Sequence, residues 1–181
     1  MTSTPALSLP EWTVLTVLRQ QPAHGFAVAQ LTAEQAELGR IWQVPRPIVY
    51  RAIGRLAGAG LITPQWTEPG QGPQRTIYAA TERGRLAADQ WLATPVKHIR
   101  EIRSHLLLKL ALLHRAGGDP TDLLQRQRAI LEPIAGAIDT RPPQDQGFDA
   151  TLLAWRRATA AAALDFLDTI MAGELQPVPP R

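Results

Sequence analysis

In a chain whose apolar residues otherwise recur at helical spacing, residues 61–67 (LITPQWT) and 75–79 (RTIYA) are short β-type runs, and they flank Glu68-Pro69-Gly70-Gln71-Gly72-Pro73-Gln74. Two prolines and two glycines in that stretch oppose both a continuing strand and a new helix, so the segment reads as a hairpin closed by a Gly/Pro loop.

Three helical stretches come ahead of the hairpin. Ser8-Leu9-Pro10-Glu11 is an S-x-x-E capping box with proline near the first turn, and Trp12, Val14, Leu15, Val17 and Leu18 give a helix to about Gln20, ended by Gln21-Pro22. A turn, Ala23-His24-Gly25, leads to a second helix from Phe26 to about Leu38, with Gly39 as its C-cap and Ile41 and Trp42 as apolar anchors. Pro45-Arg46-Pro47 can open a third helix but not lie inside one, so residues 48–57 form a separate element, closed by Gly58 and Gly60. After the hairpin, Thr81-Glu82-Arg83-Gly84 starts a fourth helix that carries Leu86, Trp91 and Leu92 and stops at Thr94, before Pro95.

From there the pattern is helical throughout. Residues 96–116 read as one helix ended by Gly117-Gly118, and Asp119-Pro120 caps another that runs towards Ile138, kinked or shortened at Pro133. A polar linker at 139–147 (DTRPPQDQG) precedes a last helix at about 148–171 and a disordered Pro-rich tail. The expected class is mainly α with a small β-hairpin: a winged helix-turn-helix at 1–94, a C-terminal α-helical dimerisation domain at 95–173 and a tail at 174–181.

Composition narrows the chemistry. There is no cysteine, hence no disulfide, thiolate metal site or cysteine nucleophile, and Ser3, Ser8 and Ser104 lie in neither G-x-S-x-G nor S-x-x-K. No apolar run approaches the roughly 20 residues of a membrane span, and the start lacks the regions of a signal peptide, which points to the cytoplasm. The net charge is only +3, but Lys97 and Lys109 are the only lysines, so the positive charge is almost all arginine, suited to bidentate phosphate or guanine contacts. A GC-rich coding sequence produces the same excess; what matters is where the arginines sit.

The third helix has two faces. Ile48, Val49, Ala52, Ile53 and Leu56 fall on one arc, and Pro47, Tyr50, Arg51, Gly54 and Arg55 on the other. In a major groove the second arc offers two guanidinium forks, a phenol for a phosphate and, at Gly54, room for close approach. Arg46 at the helix start and Arg75 on the hairpin would grip phosphates, and Gln74 beside Arg75 is a further candidate for DNA contact. Alone, such a helix could equally present a solvated face; the hairpin that follows favours DNA. Gly70-Gln71-Gly72 is no phosphate cradle, because no G-K-[ST] follows, and it reads as the tip of the wing.

These residues also carry a resemblance. Pro22-Ala23-His24-Gly25-Phe26, Ile48-Val49-Tyr50-Arg51 with Leu56, Gly60-Leu61-Ile62 and Tyr78-Ala79-Ala80-Thr81-Glu82-Arg83-Gly84-Arg85 resemble the PadR family of bacterial transcriptional regulators. Trp91-Leu92-Ala93-Thr94-Pro95 and residues 98–116 resemble its longer subgroup. The resemblance implies a homodimeric repressor of double-stranded DNA, sometimes responsive to small aromatic or hydrophobic molecules, with the C-terminal helices forming the dimer. The chain departs from the usual pattern at Phe26 (often Tyr), Ala57 (often Glu) and Pro47 (often polar).

Three further groups of residues stand out. Leu153, Ala160, Leu164, Leu167 and Met171 recur near 3.5-residue spacing beside a run of alanines, a stripe suited either to a partner helix or to helices of the same chain. We expect the partner helix, and with it a pseudo-palindromic operator. Trp91 and Trp155 are candidate contacts for a hydrophobic effector, with core packing as the alternative. His98, Glu101 and His105 share a helix face at ligand spacing, but without a fourth ligand they read as a solvated, salt-bridged face. No metal, cofactor or catalysed reaction is expected. The rival of a different class is a winged-helix module that binds an acidic protein through the same arginines.

Overall fold

The computed structural model describes residues 6–69, 74–140 and 147–173. The sections of the sequence reading that fall on the opening tail (1–5), the wing tip (70–73), the middle of the linker (141–146) and the C-terminal tail (174–181) lie outside the described residues. The chain divides into two compact units. One comprises the described residues up to Thr94 together with Arg103–Gly118; the other comprises Pro95–Ile102 and the described residues from Asp119 onward.

The first unit is built on α1 (Leu9–Gln20), whose Val14, Leu15, Val17 and Leu18 are fully buried. The capping residue Glu11 accepts hydrogen bonds from Ser8 N–H at 2.7 Å and from Ser8 Oγ at 2.8 Å. A strand follows that the sequence does not announce: β1 (Ala23–His24) pairs antiparallel with β3 (Arg75–Ala80), which pairs with β2 (Ile62–Glu68), giving the order β1-β3-β2. Pro64 is tolerated because β2 is an edge strand, and the register slips between Pro64 and Trp66.

The second helix is shorter than its pattern suggests. α2 spans only Gly25–Leu31, because Thr32 Oγ1 turns back to the carbonyls of Val28, Ala29 and Val44 and anchors the chain in a series of turns. Gly39 is therefore not a helix cap: a Cβ there would collide with the Ala33 carbonyl. α3 (Arg46–Gly58) starts at Arg46 with Pro47 in its first turn and buries Val49, Ala52, Ile53 and Leu56. α4 (Glu82–Ala93) is capped by Thr81, whose Oγ1 accepts from Gly84 N–H at 3.1 Å. Gly84 is required there, since a Cβ would strike the Leu61 carbonyl.

The single helix expected over 96–116 is interrupted. Gln127, fully buried, ties the Val96 backbone on both sides, accepting from its N–H at 2.7 Å and donating to its carbonyl at 2.9 Å, so helical winding begins only afterwards. It passes through a 3₁₀ turn (Ile99–Glu101) and a π turn (Ile102–Leu106) into α5 (Leu107–Arg115). α5 packs within the first unit rather than with the C-terminal helices: Leu108 and Leu112 join the core of α1, α3 and α4, and Gln20 Nε2 donates to the Leu112 carbonyl at 2.8 Å.

In the second unit, α6 (Thr121–Asp139) runs through Pro133 without ending and packs against α7 (Phe148–Met171). Leu153, Ala160, Ala163 and Leu167 are buried within the chain, and Arg128 bridges α6 to Asp168 at 2.7 Å. The stripe expected to meet a partner helix is thus covered largely by the chain's own α6; Leu164 is half-buried and Met171 exposed. Periodicity shows that a face is covered but not whose helix covers it. Among the described residues no helix is long and apolar enough to cross a membrane.

Candidate nucleic-acid interface

The fold turns one face of α3 outward. Arg46, Pro47, Tyr50, Arg51, Gly54 and Arg55 are all exposed, opposite the four buried residues of the same helix. Gly54 faces open space, with nothing within 4 Å of where a Cβ would sit. Arg51 has no carboxylate within ion-pair distance among the described residues. Arg55 is differently placed: its Nε lies 2.9 Å from Oε1 of the buried Glu11, so α3 is tied to the N-terminal cap of α1.

The wing approaches the same face. Arg75, at the start of β3, and Arg46, at the start of α3, both lie over the ring of Phe26 in α2, with guanidinium carbons 5.4 and 5.1 Å from its centroid. Arg46 also lies 5.6 Å from the ring of Tyr50. Each contact of this kind contributes about 0.5–1 kcal/mol at an exposed site, so the ring orders both cations without neutralising them. Glu68 stands across the strand pair from Arg75 but accepts from Trp66 Nε1 at 2.8 Å. Between α3 and the wing lies a cavity of about 550 Å³ whose lining includes His24, Phe26, Arg46, Tyr50, Gln74 and Arg75.

Of the expected residues, Arg46, Tyr50, Gly54, Gln74 and Arg75 line one cavity, while Pro47, Arg51 and Arg55 are exposed on α3 without lining it, and three residues join them that the sequence alone did not single out. Phe26 is the platform for two arginines, His24 caps α2 beside Arg75, and Glu11 holds Arg55. The run Pro22-Ala23-His24-Gly25-Phe26 was the available signal for the first two.

The remaining candidates are scattered. Trp91 is half-buried, stacked on Trp12 at 5.4 Å and 7° between ring planes, with the buried Lys109 ammonium 4.8 Å from its centroid. Trp155 stands on the outer face of α7 and is 67% exposed. Among the described residues no three His, Asp or Glu side chains are placed to hold a metal; Glu101 accepts from His98 N–H at 3.1 Å, and His105 Nδ1 lies 3.1 Å from Ser104 Oγ.

Residues 14–90 match the model of the transcriptional regulator PadR-like family. No curated protein matches the chain. Among solved structures, Bacillus subtilis PadR in complex with operator DNA is 18% identical, with 89% of this chain and 97% of that one covered and a TM-score of 0.45. The same protein in complex with p-coumaric acid is 16% identical, covering 95% and 98%, at a TM-score of 0.41. smu.1604c from Streptococcus mutans UA159 is 15% identical, covering 90% and 98%, at 0.42.

Proposed function

We propose, from the match of residues 14–90 to the transcriptional regulator PadR-like family and from the geometry of α3 and the wing, that the protein is a cytoplasmic, sequence-specific regulator of transcription that represses by binding a pseudo-palindromic operator in double-stranded DNA as a homodimer. The observation that carries the reading is the outward face of α3: Arg46 and Arg51, exposed and without carboxylate partners among the described residues, stand beside Tyr50 and the bare Gly54, with wing residue Arg75 over the same ring as Arg46. Each α3 enters a major groove, where Tyr50, Arg51 and Arg55 meet bases or phosphates while Arg46, Gln74 and Arg75 grip the backbone. No reaction is assigned to the chain.

Dimerisation belongs to the reading because one winged helix covers one half-site and a twofold pair fixes the spacing of two. The inner stripe of α7 being largely covered by α6, the partner is met by the outer face, where Phe148 is 77% and Trp155 67% exposed. Release by a small hydrophobic or aromatic effector completes the reading; such a molecule acts only through different affinities for two arrangements of the winged helices.

The test is selection of bound fragments from a random duplex library with the purified full chain at near-physiological salt. The expected outcome is an enriched inverted repeat bound with a steep log–log salt slope. A folded dimer that enriches no sequence would overturn the reading in favour of the protein-interaction module.

A further inference from the structure

We propose that His24, Arg46 and Arg75 form a single oxyanion site on the Phe26 ring, and that it takes one phosphodiester group of the duplex, so that the recognition helix and the wing hold the same phosphate. The inference rests on the DNA-binding reading and adds a contact residue, His24, and a stoichiometry to it.

Ala27 N–H donates to His24 Nδ1 at 2.9 Å, so Nδ1 presents its lone pair and the proton of the neutral imidazole sits on Nε2. Nε2 lies 3.5 Å from Arg75 Nη1, and a guanidinium nitrogen is a donor only. Two donors cannot satisfy each other; an oxygen that accepts from both can. Arg46 brings a second guanidinium to the same ring, 5.1 Å from the Phe26 centroid against 5.4 Å for Arg75, and neither has a carboxylate partner among the described residues. The arrangement combines two guanidinium groups over one aromatic ring and an imidazole N–H beside a cavity large enough for a tetrahedral oxyanion.

The experiment uses the full chain and a labelled 30-base-pair duplex of mixed sequence, with affinity followed by anisotropy against salt. A parallel titration with inorganic phosphate is followed by the ¹⁵N signals of the His24 ring. His24→Asn keeps an acceptor for Ala27 N–H but removes the Nε2 donor. It is expected to weaken duplex binding about two- to tenfold while leaving thermal unfolding unchanged. One neutralised phosphate is worth a log–log salt slope of about 0.9, so Arg46→Ala with Arg75→Ala is expected to lower the slope by about that amount, not twice it.

A drop of twice that size means two separate phosphates and overturns the shared site. Unchanged binding by His24→Asn and by the double variant overturns it too, while the DNA reading stands. If the wild-type chain binds no duplex but phosphate moves the His24 signals, the oxyanion site stands, its ligand is the free ion and the DNA reading fails. If neither ligand registers, both fail.

Discussion

Arg51 and Arg55 sit one turn apart on the same exposed face, yet the structure gives them different work. Arg51 has no carboxylate partner among the described residues, so Arg51→Ala is expected to leave thermal unfolding unchanged and to cost about 1–3 kcal/mol of discrimination at a single base position. Arg55 neutralises Glu11, whose side chain is only 3% exposed; Arg55→Ala leaves that carboxylate buried with Ser8 alone and is expected to lower stability by about 1–3 kcal/mol. Thermal unfolding set beside anisotropy on selected operators separates the two. A sharp unfolding loss for Arg51→Ala, or none for Arg55→Ala, would reverse the assignment. The outward placement of both arginines was legible in the sequence, since i and i+4 fall together opposite Val49, Ala52, Ile53 and Leu56. The tie to Glu11 was not, because the capping box already accounts for that glutamate, and a second partner distant in sequence leaves no local trace.

At the level of elements, the signals that proved accurate were local and stereochemical. Ser8 with Glu11, proline in the first turn of α3 and Thr81 with Gly84 each act within one turn, and each helix starts where they say. The same logic predicts that Gly84→Ala costs about 1–3 kcal/mol by forcing α4 away from the Leu61 carbonyl, visible as a lower midpoint in chemical denaturation; an unchanged midpoint would mean that the close approach is not needed. At the head of α6, hydrogen bonds from the hydroxyl and N–H of Thr121 hold the Asp119 carboxyl below its ordinary 3.8. This contribution to stability is fully present above the unfolded value and is lost as pH falls through the lower folded one. Carboxyl ¹³C titration should place the Asp119 midpoint under 3.8, and Thr121→Val should raise it; a midpoint at or above that value would show that Thr121 does not hold the carboxylate. Elements settled by distant contacts were not readable. β1 is two residues long and has no period of its own, and α2 ends early because Thr32 finds the Val44 carbonyl across a loop.

At the level of the molecule, the chain leaves the first unit after Thr94, returns at Arg103 and leaves again after Gly118. Leu108 and Leu112 are fully buried in the core of that unit, and deleting a core leucine costs about 2–5 kcal/mol against a typical domain stability of about 5–15 kcal/mol. A fragment of residues 1–94 is therefore expected to unfold at markedly lower temperature, or without cooperativity, compared with residues 1–118, as circular dichroism would record; equal melting curves would show α5 to be dispensable. The break after Thr94 was visible in the sequence because Pro95 marks it, whereas the return of α5 was not, since an apolar helix does not say which core it serves. A recombination event that joined the first 94 residues to a foreign C-terminal region would pass on a winged helix with a hole in its interior. The stretch that carries a complete core runs to Gly118, with residues 95–102 packing elsewhere, and chimaeras cut at that border are the ones expected to keep the winged helix folded.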